Sequence, residues 1–217
     1  MPRRIGLLAT TALCCGALAL ALAGAVAASP TVKSANLIKN GAAEFGKAAS
    51  NSGEVFAPQG WTTTGELTQL RYGAPGGFPA TTISKAIKGG KAFFTGGNVE
   101  ESTATQTAKV PSGWPKWVQR GRVKAVLSAN LGGYGVQEDA ATVIAHFMDS
   151  GGLELGTMQI GPVTLANRGG QTKLLLRTTT LLAPAQTVSI TVVITCTRAS
   201  GPYNDAYVDN VKLTLRR

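Results

Sequence analysis

The stretch Gly201-Pro-Tyr-Asn-Asp-Ala-Tyr-Val-Asp-Asn-Val-Lys-Leu-Thr-Leu-Arg216 has the pattern of a turn followed by one long β-strand. The Gly-Pro pair at its start and the Asn-Asp pair after it are typical of turns. From Tyr207 onward polar and apolar residues alternate, which predicts a strand with one apolar face. That face consists of Tyr207, Asp209, Val211, Leu213 and Leu215. Asp209 is the exception on it, and a carboxylate turned toward a core needs a partner for its charge.

The rest of the chain also has the pattern of an all-β protein. Short alternating segments follow one another, separated by turns rich in Gly and Pro, and no long amphipathic helix is evident. The clearest of these segments are residues 122–131, 141–149, 153–160, 173–182 and 187–197. Many short strands joined by such turns indicate a sandwich or a barrel, and a single β-sandwich suits a domain of this length.

The first 28 residues have the features of a secretory signal peptide. Arg3 and Arg4 precede an uncharged apolar run, and Val26-Ala-Ala28 fits the small-residue cleavage site. The alternative is a membrane helix kept as an anchor. Cleavage would leave 217 − 28 = 189 residues, which we divide into a linker over 29–34 and one domain over 35–217. We therefore expect a secreted or cell-envelope protein with no integral membrane segment after cleavage.

The expected mature chain is basic. Removing Arg3 and Arg4 lowers the net charge from +10 to 10 − 2 = +8, a balance compatible with nucleic acid, an anionic envelope or polyanionic glycans. The densest basic group is Lys116, Arg120, Arg122 and Lys124. No nucleic-acid-binding motif occurs, and export argues against that partner. A solvated basic surface is the simplest interpretation.

Few residues offer catalytic chemistry, so we predict that the protein is not an enzyme. The one histidine, His146, falls in a segment that is apolar on both faces and is expected to be a core residue. Cys196 lies on the apolar face of a strand and is expected to be a buried thiol. Nucleophile elbows, zinc-ligand clusters and nucleotide-binding glycine patterns do not occur. A hydrolase that draws two carboxylates from distant loops stays open.

Aromatic and polar residues on loops indicate a carbohydrate-binding site. The candidates are Trp114, Trp117, Tyr134, Arg198, Tyr203, Asn204 and Asp205. The loop between Arg198 and Asp205 is the first choice. The alternative is that the tryptophans pack in the core, since a large ring buries much apolar area. Arg168, in a tight turn, is expected to be a solvated charge.

Both ends of the chain resemble a known family. The segments Asn36-Leu-Ile-Lys-Asn-Gly-Ala-Ala-Glu-Phe45, Gly60-Trp61 and Tyr207-Val-Asp-Asn-Val211 are similar to motifs of galactose-binding-like jelly rolls, a group that includes carbohydrate-binding modules of secreted proteins. The middle of the chain matches only as a β-pattern. Where the family has Phe before Glu, this sequence has Ala43, and Phe45 follows Glu44.

The resemblance implies a jelly roll whose first and last strands lie near each other. It also implies a structural calcium ion held by Glu44 and Asp209 with backbone carbonyls, to which Asn40 or Asn210 adds an oxygen. The alternative is that Asp209 accepts hydrogen bonds from backbone amides or pairs with a lysine.

The function we expect is non-catalytic binding of a glycan at the envelope or outside the cell. A structural or adhesive envelope protein that binds another protein is the second interpretation, and a hydrolase is the third. The sequence leaves the ligand and the oligomeric state open.

Overall fold

The computed structural model describes Met1 and residues 31–217, so the predicted signal peptide lies outside the described residues. Residues 31–217 form one compact unit. Its ten strands are β1 Thr62–Thr64, β2 Thr68–Arg71, β3 Ala92–Gly97, β4 Glu101–Lys109, β5 Lys124–Gly133, β6 Ala140–Met148, β7 Glu154–Ile160, β8 Lys173–Leu182, β9 Ser189–Thr197 and β10 Asn204–Arg216. Three short helices join them: α1 Thr81–Ile87, α2 Pro115–Gln119 and α3 Leu165–Arg168.

The strands form two five-stranded sheets of a β-sandwich, as predicted. One sheet has the order β1-β4-β9-β6-β7 and the other β2-β3-β10-β5-β8. All the paired strands are antiparallel. The long strand β10 is the middle strand of the second sheet, between β3 and β5. Within residues 31–217 no helix is long and apolar enough to cross a membrane.

Alternation of side chains builds the core between the sheets. In β9, every second residue from Ile190 to Cys196 is buried, and β6 follows the same pattern. The prediction that residues 141–149 form a central strand, apolar on both faces, is confirmed for the position of the strand and wrong for its faces. β6 lies inside its sheet, between β9 and β7, but only one of its faces packs on the core.

A β-bulge in β10 changes the predicted faces of the last strand. The pairing of β10 with β5 shifts between Asp209 and Lys212, and Asn210 has a φ of 55°. One extra residue reverses the alternation. Val211, Leu213 and Leu215 therefore join the core between the sheets. Tyr207 points to the outer face of the sheet, and Asp209 bonds to a residue of that outer layer. The prediction that all five residues share one face was wrong.

Residues 31–38 run along β10 as an additional segment. The Val32 and Arg217 amides each donate to the other's carbonyl, at 2.9 and 3.0 Å, and the Leu37 amide donates to Leu213 O at 2.8 Å. The first and last segments of the domain are thus neighbours, as the resemblance implied. Residues 31–34, the described part of the linker expected over 29–34, lie in the same compact unit as the strands.

A second apolar layer covers the outer face of the β10 sheet. Its buried members are Ala49, Leu70, Tyr72, Phe78, Phe93, Leu174, Tyr203 and Tyr207. The ring of Phe93 packs edge-on against Tyr207, with centroids 5.2 Å apart. Ile83 and Ile87 of α1 pack against this layer. This cover explains how Asp209 is buried on a face that normally meets solvent.

Candidate functional site

The predicted carboxylates Glu44 and Asp209 lie on either side of two adjacent glycines. A side chain at Gly89 would collide with Asp209 Oδ2, and one at Gly90 would collide with Glu44 Oε1. Gly90 also has a φ of 73°, a conformation that favours glycine. The glycine pair lets the chain before β3 pass close to both carboxylates.

Asp209 is fully buried and accepts two hydrogen bonds. The Tyr72 hydroxyl donates to Oδ2 at 2.6 Å, and the Asn210 amide donates to Oδ1 at 2.5 Å. Burial, with a contribution from the charge of Glu44, raises the pKa of Asp209 to about 8, while these two hydrogen bonds act in the opposite direction. These two contacts agree with the alternative interpretation, in which Asp209 accepts hydrogen bonds from within the protein.

The two carboxylates have a chemistry that suits calcium, a hard cation that takes six to eight oxygen ligands. Within the described residues neither carboxylate lies in an ion pair, although they are close enough for the charge of Glu44 to raise the pKa of Asp209. Glu44 Oε1 accepts from the Lys91 and Ala92 amides at 2.6 and 3.2 Å. No group of three or more His, Cys, Asp or Glu side chains in residues 31–217 is placed to hold a metal. Backbone carbonyls and water would have to complete the shell.

The two amide side chains suggested as further ligands make other contacts. Asn40 Nδ2 donates to the carbonyls of Phe45 and Gln59 at 3.1 and 3.0 Å, and Asn40 Oδ1 accepts from the Phe45 amide at 2.9 Å. Asn210 Nδ2 donates to Ile87 O at 3.1 Å and to Asn130 Oδ1 at 3.2 Å. Both side chains therefore organise loops, and a role as calcium ligands stays a prediction.

The seven predicted glycan-binding residues do not form one site. Trp114 and Trp117 lie at α2 and are half-buried against the core. The guanidinium of Arg217 is 4.3 Å from the ring centroid of Trp117, at the end of β10. Asn204 and Asp205 begin the same 13-residue strand, so about 40 Å separates the two groups at roughly 3.3 Å per residue.

Two of the candidates near the start of β10 are buried. Tyr203 packs edge-on against Phe78, with ring centroids 5.2 Å apart, and is 7% exposed. Asn204 is fully buried and donates to Glu100 O and Cys196 O at 3.1 and 3.0 Å. Direct contact of these two side chains with a glycan is inconsistent with their burial, because their polar and aromatic surfaces are already covered.

The other candidates in this region are half-buried. Arg198 Nη1 donates to Pro202 O at 2.8 Å and so closes its own loop. The Tyr207 hydroxyl donates to Asp205 Oδ1 at 2.6 Å. Tyr134 packs against the outer apolar layer. These contacts give each residue a structural role, and glycan contact by Tyr134, Arg198 and Asp205 stays a prediction, as it does for both tryptophans.

Arg168 is buried, so its prediction as a solvated charge was wrong. Its Nη1 donates to the carbonyls of Gly133, Gly135 and Gln171 at 2.7–3.1 Å, and its Nη2 donates to Gln137 O. Burial lowers the pKa of Arg168. The guanidinium holds the loop after β5 to the turn after α3, because a fork of several donors can satisfy all four carbonyls at once.

The predicted core histidine is on the surface. His146 lies on the outer face of β6, where its Nδ1 is 2.6 Å from Glu154 Oε2 of β7. Its side chain is 28% exposed, which corrects the prediction. Cys196 is fully buried, as predicted, and burial raises the pKa of this thiol to about 12. It therefore stays protonated at neutral pH.

Asp205 leads to a prediction about pH. Burial raises its pKa to about 6, against the hydrogen bond from Tyr207. The unfolded value is near 4, so the folded state binds the proton more tightly. The contribution of Asp205 to stability is thus fully present below pH 4 and lost as the pH rises through 6. In urea unfolding, wild type should lose roughly 1 kcal/mol more than Asp205→Asn between pH 4 and pH 7.

Asn keeps the acceptor for the Tyr207 hydroxyl, so this variant isolates the charge of Asp205. Glu101→Gln, at an exposed position, is the control and should follow wild type. Parallel profiles for wild type and Asp205→Asn would contradict the prediction.

Phe45 is an exposed aromatic residue that was not among the site residues predicted from the sequence. Its side chain is 64% exposed, and it is the one exposed aromatic residue within residues 31–217. Ala43, the position where the family pattern has Phe, is buried with a φ of 53°. In this chain the ring follows Glu44 instead of preceding it and lies at the surface. The departure from the family motif was the signal that could have identified it.

Phe45 stands in a groove of about 510 Å³. The groove is lined by Ile38, Lys39, Asn40, Phe45, Gln59 and Gly60. The Gln106 side chain fixes its floor, because Nε2 donates to Lys39 O and Gly60 O at 3.0 and 2.8 Å, and Oε1 accepts from the Lys39 amide at 2.7 Å. An exposed ring and amide side chains thus meet on a rigid base.

No family model and no curated protein matches the sequence. Solved structures resemble its β-sandwich. The enzymatically active domain of tailspike protein 4 of bacteriophage CBA120 is 13% identical, with a TM-score of 0.48, over 82% of this chain. This chain spans 21% of that tailspike chain.

Carbohydrate-binding modules also resemble the fold. The module TmCBM61, solved in complex with β-1,4-galactotriose, is 16% identical, with a TM-score of 0.46, over 83% of this chain and 98% of that one. The CBM22-1 xylan-binding domain of Paenibacillus barcinonensis Xyn10C is 12% identical, with a TM-score of 0.39, over 76% and 90%. At these identities the likeness concerns the fold alone.

Proposed function

We propose that the protein is a secreted, non-catalytic carbohydrate-binding β-sandwich and that Phe45 is the platform of its binding site. The observation that carries the proposal is the exposure of this ring in a groove lined by amide side chains. A pyranose ring has an apolar face of C–H groups, which packs on an aromatic ring, and hydroxyls at its rim, which need hydrogen-bond partners.

The groove is organised before a ligand arrives. Asn40 holds the backbone of Phe45 through both its amide and its carbonyl, and it also holds Gln59 O. Within the described residues, the Gln59 amide and the Lys39 ammonium have no side-chain hydrogen-bond partner. They flank the ring as donors and, for Gln59, as an acceptor. A preformed site favours binding because little conformational entropy is lost.

Phe45→Ala is expected to reduce binding to the glycans that wild type retains on an array by about tenfold or more, since a central aromatic anchor typically contributes over 1 kcal/mol. Folding should be unchanged, because the ring is outside the core. Val136→Ala, at a residue that is 75% exposed elsewhere, is the matched control. Trp117→Ala tests the alternative site at α2. Equal retention by wild type and Phe45→Ala would reject the platform.

We also propose a structural calcium ion between Glu44 and Asp209. Two observations support this proposal. The two carboxylates approach adjacent glycines, and within residues 31–217 neither of them forms an ion pair with a cationic side chain. When bound, the ion would neutralise a buried negative charge and tie the first loop of the domain to its last strand.

A further inference from the structure

Three positive residues lie side by side across neighbouring segments of the β10 sheet. Arg216 pairs directly with Lys124 of β5 on one side. On its other side it pairs with Lys33 of the first segment. Directly opposed residues of antiparallel strands point to the same face, with Cβ atoms about 5 Å apart. Lys33, Arg216 and Lys124 therefore form a row of like charges, and all three are exposed.

Two further cations extend this row into a groove of about 350 Å³. The groove is lined by Thr31, Gly121, Arg122, Lys124, Leu182, Arg216 and Arg217, without an acidic side chain. The guanidinium of Arg217 is held over the ring of Trp117 at 4.3 Å, which orients this cation in advance. We call Lys33, Arg122, Lys124, Arg216 and Arg217 the cationic ladder.

The cationic ladder costs the folded protein free energy. Like charges directly opposite each other in a sheet are destabilising, and within residues 31–217 no carboxylate side chain forms an ion pair with them. The two ion pairs of the described chain are His146 with Glu154 and Arg198 with Glu100, and neither involves a residue of the ladder. The ladder brings positive charges together from three separate parts of the chain. Binding of an anion would offset their mutual repulsion.

We propose that the cationic ladder binds a linear acidic polysaccharide that carries a carboxylate or sulfate on its sugar units. Neighbouring strands lie about 4.8 Å apart, which is close to the length of one pyranose unit in an extended chain. Successive cations of the row therefore meet successive sugar units. The site is distinct from the Phe45 groove and does not depend on it, because none of the residues lining that groove belongs to the ladder.

Other polyanions fit this surface less well. Single-stranded nucleic acid needs exposed aromatic rings on which bases stack, whereas no aromatic residue lines this groove in the described chain, and the guanidinium of Arg217 lies over the Trp117 ring. Binding to an anionic membrane combines cations with apolar residues that enter the lipid, whereas Leu182, at 51% exposure, is the single exposed large apolar residue in the described lining.

The test is titration calorimetry of the purified protein with polygalacturonate, and with dextran sulfate as the sulfated probe. Methyl-esterified polygalacturonate is the uncharged control. Wild type should bind at least one acidic polymer, bind the ester much more weakly, and lose affinity as salt screens the charges. Each of Lys33→Gln, Lys124→Gln and Arg216→Gln should weaken binding about two- to fivefold, and the triple variant at least about tenfold.

A second readout separates this proposal from a merely basic surface. Without polymer, Lys124→Gln and Arg216→Gln should raise the melting temperature by about 1–3 °C, because repulsion is relieved. Lys173→Gln, an exposed cation at the other end of the same sheet, should change neither quantity. Phe45→Ala should keep the affinity for acidic polymers, so the two sites fail independently.

Three results would overturn the proposal. One is equal affinity for polygalacturonate and its ester together with no binding of dextran sulfate. Another is unchanged binding of the acidic polymers by the triple variant. The third is tighter binding of single-stranded DNA or of phosphatidylglycerol vesicles than of either acidic polysaccharide at equal ionic strength, which would assign the ladder to that partner.

Discussion

Arg168→Ala is expected to destabilise the protein by more than about 3 kcal/mol, the largest effect of any single substitution that we propose. The change leaves the buried carbonyl of Gly133 and the partly buried carbonyls of Gly135, Gln137 and Gln171 without their shared donor. Arg168→Lys should also destabilise the protein, though less, because an ammonium keeps the charge but lacks the planar fork. Urea unfolding followed by tryptophan fluorescence measures both variants.

The control for this series is Arg71→Ala, an exposed arginine without a side-chain hydrogen bond in the described chain. It should change the free energy of unfolding by no more than about 0.5 kcal/mol. Should Arg168→Ala fail to accumulate as folded protein, Arg168→Lys still provides a measurable midpoint. Wild-type stability in both Arg168 variants would show that water replaces the guanidinium without cost.

Calcium is expected to raise the melting temperature of wild type by about 5–10 °C over the value in chelator. A ligand at one hundred times its dissociation constant adds about 2.7 kcal/mol to the stability of the folded state, and 1 kcal/mol corresponds to about 2–4 °C at this chain length. Asp209→Asn should abolish the response. Differential scanning calorimetry with calcium and with chelator measures it.

In chelator, where no calcium is bound, Asp209→Asn should not destabilise the protein. Burial raises the pKa of Asp209 to about 8, so the calcium-free carboxyl is largely protonated at pH 7, and the oxygen of Asn still accepts from the Asn210 amide. The calcium-free variant should therefore be about as stable as wild type at pH 7 and more stable above pH 8, where wild type would bury a charge. Glu44→Gln should also lose the calcium response, whereas Glu138→Gln, at an exposed position, should keep it. If wild type shows no calcium response, Asp209 is an internally bonded carboxylate and the ion site is rejected.

Sequence patterns predicted the strands well, because a strand is marked by the alternation of its own residues and by the turn residues that flank it. The segments 173–182 and 153–160 correspond to β8 and β7 within one residue at each end, since alternation and flanking turns define a strand without knowledge of its neighbours. The burial of Cys196 on the apolar face of β9 was predicted on the same basis. The motifs at the two ends of the chain also predicted that these ends would meet.

The candidate site was predicted less well, because its properties depend on registers and neighbours. The bulge at Asn210 separates Tyr207 and Asp209 from Leu213 and Leu215, and a one-residue shift in pairing leaves no mark in the alternation of a sequence. The exposure of Phe45 follows from the path of one loop. Arg168 is in a turn whose composition is that of a solvated loop, and its burial depends on the distant carbonyls of Gly133, Gly135 and Gln137.

The sequence by itself determined the class of this protein, an all-β sandwich with adjoining first and last segments, because strand patterns, turns and terminal motifs are written in neighbouring residues. It also identified Glu44 and Asp209 as carboxylates of interest. Only the tertiary structure decided which surfaces these strands present. It joined Lys33, Lys124 and Arg216 into one row and spread the predicted aromatic residues over opposite ends of β10, because strand pairing brings together residues whose separation in the chain conceals their proximity.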